Sequence, residues 1–130
     1  MRFSSAAAGA SEVVCWGTGD STRDFVYAGD VARCIPFFIE EYNSGEPVNI
    51  SSGGTTTIRE LAETIRELVG YRGRLCWDVS KPEGQKYKIF DVRRLNGLGL
   101  SCDTPLREGL ARTVAWFAAN YPCQGDGLRI

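Results

Sequence analysis

Residues 15–25, with the sequence CWGTGDSTRDF, hold the side chains that are best suited to chemistry. Two glycines suggest a loop whose backbone amides cradle a phosphate. Trp16 and Arg23 suggest instead that side chains do this work, because a guanidinium matches two phosphate oxygens and an indole offers a flat wall to a sugar or base. The structural alternative is that Trp16 lies in the core and Arg23 pairs with a neighbouring aspartate at the surface.

The glycines do not match a phosphate-binding loop. A dinucleotide fingerprint needs G-x-G-x-x-G between a strand and a helix, but Thr22 stands at the third glycine position. The following run, DFVYA, is typical of another strand, and the P-loop pattern G-x-x-x-x-G-K-[ST] is absent from the sequence. We therefore predict a strand–turn–strand in which Trp16 and Arg23 face a common site.

The elements that must position this site alternate between strands and helices, which predicts an α/β or α+β domain. Short apolar runs predict strands, and helical spacing of apolar residues predicts helices. The predicted strands are 12–16, 24–28, a short one within 43–51, and 74–78, with 88–92 extended or in a loop.

The predicted helices are defined by their ends. Asp30 is a good N-cap for a helix that Pro36 kinks or delays. Thr57 and Glu60 form a capping box for a second helix, which Gly70 stops. A last helix begins at Thr104–Pro105, and its predicted buried face is Leu106, Leu110, Val114, Phe117 and Tyr121.

Composition narrows the function classes. The net charge of -1 gives no basic surface for nucleic acid or an anionic membrane, and no apolar run approaches the length of a membrane span. The chain has no histidine, so general acid–base catalysis would need a strongly shifted group of another type. The 5 cysteines are widely spaced and match neither a zinc-site nor a disulfide pattern, which predicts a protein of the reducing cytoplasm. Cys15, Cys34 and Cys76 lie in apolar stretches and are predicted core residues.

Three segments of the chain, 13–32, 57–99 and 104–117, resemble the C-terminal part of extended short-chain dehydrogenases. These enzymes are NAD(P)-dependent epimerases, dehydratases and reductases of nucleotide sugars, and the likeness is strongest to their GDP-L-fucose synthase branch. It implies a small substrate-binding α/β domain over residues 1–121, without the nucleotide-binding Rossmann half, followed by a tail at 122–130.

The resemblance also implies roles for four residues. Arg23 would contact the pyrophosphate of the nucleotide sugar, and Trp16 would lie against the sugar or its diphosphate. Arg74 and Lys88 would add cationic contacts to the nucleotide. The ordinary alternative for the last two is solvated basic residues beside a strand.

The family's cofactor glycines and its catalytic Y-x-x-x-K pair are absent from this sequence. The resemblance therefore implies no catalytic, cofactor or metal residue here, and NADP would be bound by the missing half. Three interpretations remain open: a nucleotide-sugar binding module, a homodimeric assembly protein that lost its ligand, and a subunit that complements a separate Rossmann half.

Overall fold

The structure is a computed structural model, and it describes residues 11–121. The strands are β1 (Glu12–Trp16), β2 (Thr22–Arg23), β3 (Thr56–Thr57), β4 (Arg74–Asp78) and β5 (Tyr87–Lys88). The helices are α1 (Ala28–Glu40), α2 (Ile58–Leu68), α3 (Arg93–Gly97) and α4 (Leu106–Asn120). The α/β class is confirmed; the tail at 122–130 lies outside the described residues, and the domain boundary stays a prediction.

The strands form two small sheets. β1 and β4 pair in parallel, with Val13 opposite Leu75 and Trp16 opposite Asp78. In the second sheet β2 is central: it pairs antiparallel with β3 and parallel with β5. Both parallel pairs join strands that are far apart in sequence, so each sheet ties the two halves of the described chain together.

The described residues form two small cores, one at the first sheet and one among the helices. On β1, Val13 and Cys15 are buried and their neighbours are exposed, which is the alternation of a strand with one covered face. Tyr71, Leu75 and Trp77 pack against them. The second core is built on Cys34, Leu95 and Cys102, with six partly buried residues around it: Val26, Phe38, Val48, Ile50, Val92 and Leu100.

Helix α2 forms as its sequence predicts. The Thr57 hydroxyl accepts a hydrogen bond from the Glu60 amide, and the Glu60 carboxylate accepts one from the Thr57 amide, so the capping box is present. After the helix, Gly70 adopts a φ of 67°, a left-handed conformation that glycine accepts without steric cost. The predicted stop at Gly70 is therefore confirmed.

The region around α1 differs from the prediction. Residues 24–27 are not a strand; the strand ends at Arg23, and the Asp24 carboxylate accepts hydrogen bonds from Ser52 and Gly53. Tyr27, not Asp30, is the N-cap residue. The helix does not start late, since it begins at Ala28 and runs through Pro36.

Two further expectations change. No strand forms within 43–51; Val48 and Ile50 pack on the second core from an irregular segment. Residues 93–97, for which no helix or strand is predicted, form the short helix α3. In α4 the predicted buried face is only partly covered, and Gly109 is the buried residue because it lies against the ring of Tyr27.

Candidate functional site

The turn that follows β1 brings the strands of the two sheets together. Gly17 and Gly19 have φ values of 78° and 82°, which a residue with a side chain rarely adopts. A Cβ atom at Gly19 would lie 2.6 Å from the ring of Trp77, so this turn also needs the missing side chain for space. This tight turn therefore requires glycine at both positions.

The amides of this turn are already bound by a carboxylate of the protein. The Glu83 Oε1 atom accepts hydrogen bonds from the Thr18 hydroxyl and from the Thr18 amide, the latter at 2.7 Å. The bonds from the Thr18 hydroxyl and amide lower the pKa of Glu83, with smaller contributions from the amides of Asp20 and Gly19. A phosphate would have to displace Glu83, so side chains are better placed than this loop to bind an anion.

Arg23 and Lys88 lie side by side on adjacent strands. They are paired across the parallel β2–β5 ladder, so their side chains project from the same face of the sheet. Arg23 is held in place by a hydrogen bond of 2.6 Å from its Nη1 atom to the carbonyl of Thr22. The ammonium of Lys88 lies 5.6 Å from the centre of the Phe90 ring.

Neither cation has a carboxylate partner among residues 11–121. The ion pairs of this region join other arginines to acidic residues and include neither Arg23 nor Lys88. Asp24, which follows Arg23, is engaged with Ser52 and Gly53 instead. Two adjacent, uncompensated cations attract a dianion, and the Arg23 fork can bind two phosphate oxygens.

The other two predicted site residues lie apart from this pair. Trp16 ends β1 and is 65% exposed, so it is not a core residue, and no contact joins it to Arg23 or Lys88 among the described residues. Arg74 stands at the opposite end of β4 from the residue that pairs with Trp16, and its Nη2 atom is 3.3 Å from the Glu12 carboxylate. The structure therefore brings Arg23 and Lys88 together and joins neither Trp16 nor Arg74 to them.

A cavity of about 280 Å³ lies beside β3. Thr56 lines it, and Thr56 is also the cross-strand neighbour of Arg23. Its other walls are Phe25, the 52–55 loop and the segment that enters α4, with hydroxyl groups at several points: Ser52, Thr55, Thr56 and Thr104. A ring next to a bound phosphate would meet an aromatic wall and hydroxyl groups here, as in many small-molecule sites.

One wall of the cavity is fixed by a buried carboxylate. Asp30 of α1 accepts hydrogen bonds from the Thr104 amide at 2.9 Å and from its hydroxyl at 2.6 Å. Burial of Asp30 favours its neutral form, but the bonds from Thr104 and the charge of Arg33 outweigh this and lower its pKa. Asp30 is therefore a charged structural link between α1 and the start of α4.

Cys102 also lines the cavity, next to Cys34 in the second core. Burial, together with the neighbouring Cys34 thiol, raises the pKa of Cys102 to about 11. A thiol with such a pKa is neutral at physiological pH, and a thiol is a poor nucleophile compared with its thiolate. Cys102 thus contributes packing rather than charge or reactivity to this wall.

Sequence reasoning missed Thr56. No local pattern signals this residue, because its position beside Arg23 depends on the pairing of β2 with β3.

Comparison with known proteins finds sequences and folds that are similar to this chain. Residues 2–51 match the model of the NAD dependent epimerase/dehydratase family. Probable GDP-L-fucose synthase 1 of Oryza sativa subsp. japonica is 42% identical over 120 residues, which cover 92% of this chain and 37% of that protein. The chain is therefore similar over most of its length to enzymes of this family. GDP-L-fucose synthase of Escherichia coli K12 is 40% identical over 92% of this chain and 40% of its own length.

Solved structures show the same fold. The GDP-L-fucose synthetase of Naegleria fowleri, crystallised with NADP, superposes with a TM-score of 0.83 and 26% identity over 95% of this chain and 40% of that one. UDP-glucose 4-epimerase of Thermotoga maritima, crystallised with UDP-glucose, superposes with a TM-score of 0.77 and 30% sequence identity. The match covers 89% of this chain and 37% of that one. The chain therefore spans about two fifths or less of the length of these relatives.

Among residues 11–121, no helix has the length and apolar character that a membrane crossing requires.

Proposed function

We propose that this chain binds a nucleotide sugar of the GDP-sugar class and does not catalyse its conversion alone. The observation that carries the proposal is the adjacent pair of Arg23 and Lys88, which no described carboxylate neutralises. The names of the relatives support it, since they denote enzymes of GDP-sugars. In this proposal the pyrophosphate lies on the cation pair.

The remainder of the ligand would extend from the cation pair in two directions. The cavity beside Thr56 can take one ring, and exposed Trp16 offers an apolar face for another. Arg74 would reach the nucleotide only across the length of β4, so we assign it a smaller share of the binding. Catalysis and NADP binding are assigned to the part of the family's enzymes that this chain does not span.

The test is isothermal titration calorimetry of the purified chain with GDP-fucose and GDP-mannose. UDP-glucose and NADPH are the comparison ligands, and we expect no heat from NADPH. Saturable binding of a GDP-sugar should weaken about tenfold or more in Arg23→Ala, because a charge-assisted hydrogen-bond pair to phosphate is lost. Lys88→Ala should weaken it less, since it removes a single point charge.

Arg66→Ala is the matched control. Arg66 lies on α2 and is already paired with Glu63 at 3.1 Å, so its loss should leave the affinity unchanged. If Arg23→Ala binds as tightly as the unsubstituted chain, the assigned site is wrong. If Arg74→Ala costs more than Arg23→Ala, the ligand lies along β4 instead.

A further inference from the structure

The loop between β4 and β5 is held at its middle by one side chain. Main-chain hydrogen bonds fix its two ends, at the Lys81 amide and at the Lys86 carbonyl, which accepts a bond of 2.9 Å from the Thr22 amide of β2. Among residues 82–85, only Glu83 forms a hydrogen bond with another described residue. The middle of this loop therefore depends on Glu83 for its position.

The Glu83 carboxylate binds a part of the chain that is itself fixed. It accepts hydrogen bonds from the amide and the hydroxyl of Thr18, in the turn after β1. The Thr18 carbonyl in turn accepts a hydrogen bond from Arg59, whose guanidinium lies 4.6 Å from the centre of the Trp77 ring. A Cβ atom at Gly17 would lie 2.5 Å from the Cγ atom of Glu83, so this glycine leaves the space that the carboxylate side chain occupies. The turn is thus a firm anchor for the loop.

The residue that follows Glu83 lies close to the guanidinium of Arg23. A Cβ atom at Gly84 would be 3.9 Å from the Nη2 atom of Arg23. The Nη1 atom of the same guanidinium donates to the Thr22 carbonyl at 2.6 Å. The loop and β2 therefore each approach one terminal nitrogen, so a displacement of the loop would alter the space around this side chain.

The same loop leads directly into the strand that carries Lys88. Main-chain bonds set the place of Lys88 beside Arg23: the Thr22 amide donates to the Lys86 carbonyl at 2.9 Å, and the Asp24 amide donates to the Lys88 carbonyl at 3.2 Å. Because β5 is only 2 residues long, its pairing with β2 is short and depends on how the loop enters it. The position of the loop thus affects both cations of the candidate site.

We propose that Glu83 is a positioning residue for the anion site of Arg23 and Lys88, because its bonds to Thr18 hold the loop that adjoins the one cation and leads to the other. This inference rests on the proposed function, since it concerns the same bound pyrophosphate. Glu83 itself carries a negative charge and does not bind the anion. Loss of that charge alone would strengthen the attraction of the site for an anion, whereas loss of positioning weakens binding, so the direction of the change separates the two effects.

Isothermal titration calorimetry with GDP-mannose compares variants of the full chain. Glu83→Ala should weaken binding about threefold or more, because only the fraction of molecules with the loop in place is competent to bind. Glu83→Gln should recover most of the affinity, since its amide oxygen still accepts a hydrogen bond from the Thr18 amide. Gln85→Ala is the matched control and should leave the affinity unchanged, because Gln85 is exposed in the same loop and forms no hydrogen bond with a described residue.

A double-mutant cycle links the effect to the contact with Thr18. Thr18→Val removes the hydroxyl donor and retains the amide, so it should weaken binding less than Glu83→Ala does. Combined with Glu83→Ala it should cause no further loss, because its partner is already absent. Additive losses would overturn the proposal.

Hydrogen exchange measures the positioning without a ligand. The amides of Thr22 and Asp24 donate to carbonyls at the end of the loop and in β5. They should exchange about threefold faster or more in Glu83→Ala, since β5 opens more often when the loop is loose, and Glu83→Gln should restore the slower rate. The Gly109 amide, bonded within α4 at 3.0 Å, is the reference and should not change.

Unchanged or tighter binding by Glu83→Ala would overturn the proposal, and tighter binding would mean that the carboxylate competes with the ligand. Unchanged exchange at Thr22 and Asp24 would overturn it as well, because the loop would then be held without Glu83. If the unsubstituted chain binds no GDP-sugar, the proposed function fails, whereas hydrogen exchange still decides whether Glu83 positions the cation pair. The two proposals can therefore fail separately.

Discussion

At the scale of single residues, Asp30 shows how one side chain joins distant segments. Its carboxylate is 1% exposed, yet it is charged, because Thr104 donates two hydrogen bonds to it and Arg33 lies at 2.8 Å. A buried charge is tolerated only with such partners. The bond to Thr104 spans 74 residues and fixes a wall of the cavity.

Asp30→Asn should lower the free energy of unfolding near neutral pH by about 2 kcal/mol, since one hydrogen bond from Thr104 and the ion pair with Arg33 are lost. The folded-state pKa of Asp30 lies below its unfolded value of about 3.9. Its contribution is therefore present above that value and disappears as the pH falls through the folded-state pKa.

Urea unfolding between pH 7 and pH 3 measures both effects. Stability of the unsubstituted chain should decline toward pH 3 more steeply than that of Asp30→Asn. Asp103→Asn is the control, because Asp103 is exposed and lies 3.7 Å from the same arginine. If Asp30→Asn left the free energy of unfolding unchanged, the bonds between Asp30 and Thr104 would not stabilise the fold.

At the scale of elements, α2 is the part of the fold whose stability is most local. Its capping box, its apolar stripe and Gly70 all lie within fourteen consecutive residues of the sequence. Thr57→Ala should destabilise the protein by about 1 kcal/mol because the Glu60 amide loses its acceptor.

Chemical denaturation of Thr57→Ala measures this loss, and Thr64→Ala is its control. Thr64 lies in the middle of the same helix and donates only to the Glu60 carbonyl, so alanine there should be neutral or slightly stabilising. Equal effects of the two substitutions would argue against the capping box.

Elements that are defined by short-range sequence patterns, as α2 is, are the ones that the sequence predicts correctly. The bounds of β1 and β4 and the start of α2 follow from short-range patterns, and the structure confirms them. β2 was placed wrongly because its two residues become a strand only through pairing with β3 and β5. The same cap rule that works for Thr57 fails for Asp30, whose partner is distant in sequence.

In the candidate site, too, the residue types can be read from the sequence, whereas their positions depend on contacts between distant segments. Arg23 and Lys88 can be selected from the sequence as cations for a phosphate, but their adjacency depends on a strand register that joins residues 65 positions apart. The cavity beside Thr56 is likewise formed by three segments that no local pattern connects. Residue types are thus predictable here, whereas their assembly into one site is not.

At the scale of the whole molecule, two small cores divide the stabilisation between them. The first lies under β1 and β4, and the second lies among α1, α3 and the segment before α4. Leu95 is fully buried in the second core, although it belongs to a helix of only five residues. The second core therefore depends on one large side chain.

Leu95→Ala should cost about 2–5 kcal/mol, because it removes a fully buried side chain from the second core and leaves a cavity there. Thermal unfolding followed by circular dichroism measures the loss. The partly exposed Leu98 of the same segment provides the control, and Leu98→Ala should cost much less. Similar losses for both would mean that the second core tolerates the cavity.

The parallel pairing of β1 with β4 has a consequence for synthesis on the ribosome. Glu12 and its partner Arg74 are 62 positions apart, so β1 leaves the ribosome long before its neighbour exists. At about 5–20 residues per second, that interval is roughly 3–12 s. During that interval, β1 has no strand to pair with, and Val13 and Cys15 are not covered by the residues that pack on them in the folded chain. The nascent strand can then bind chaperones or strands of other chains.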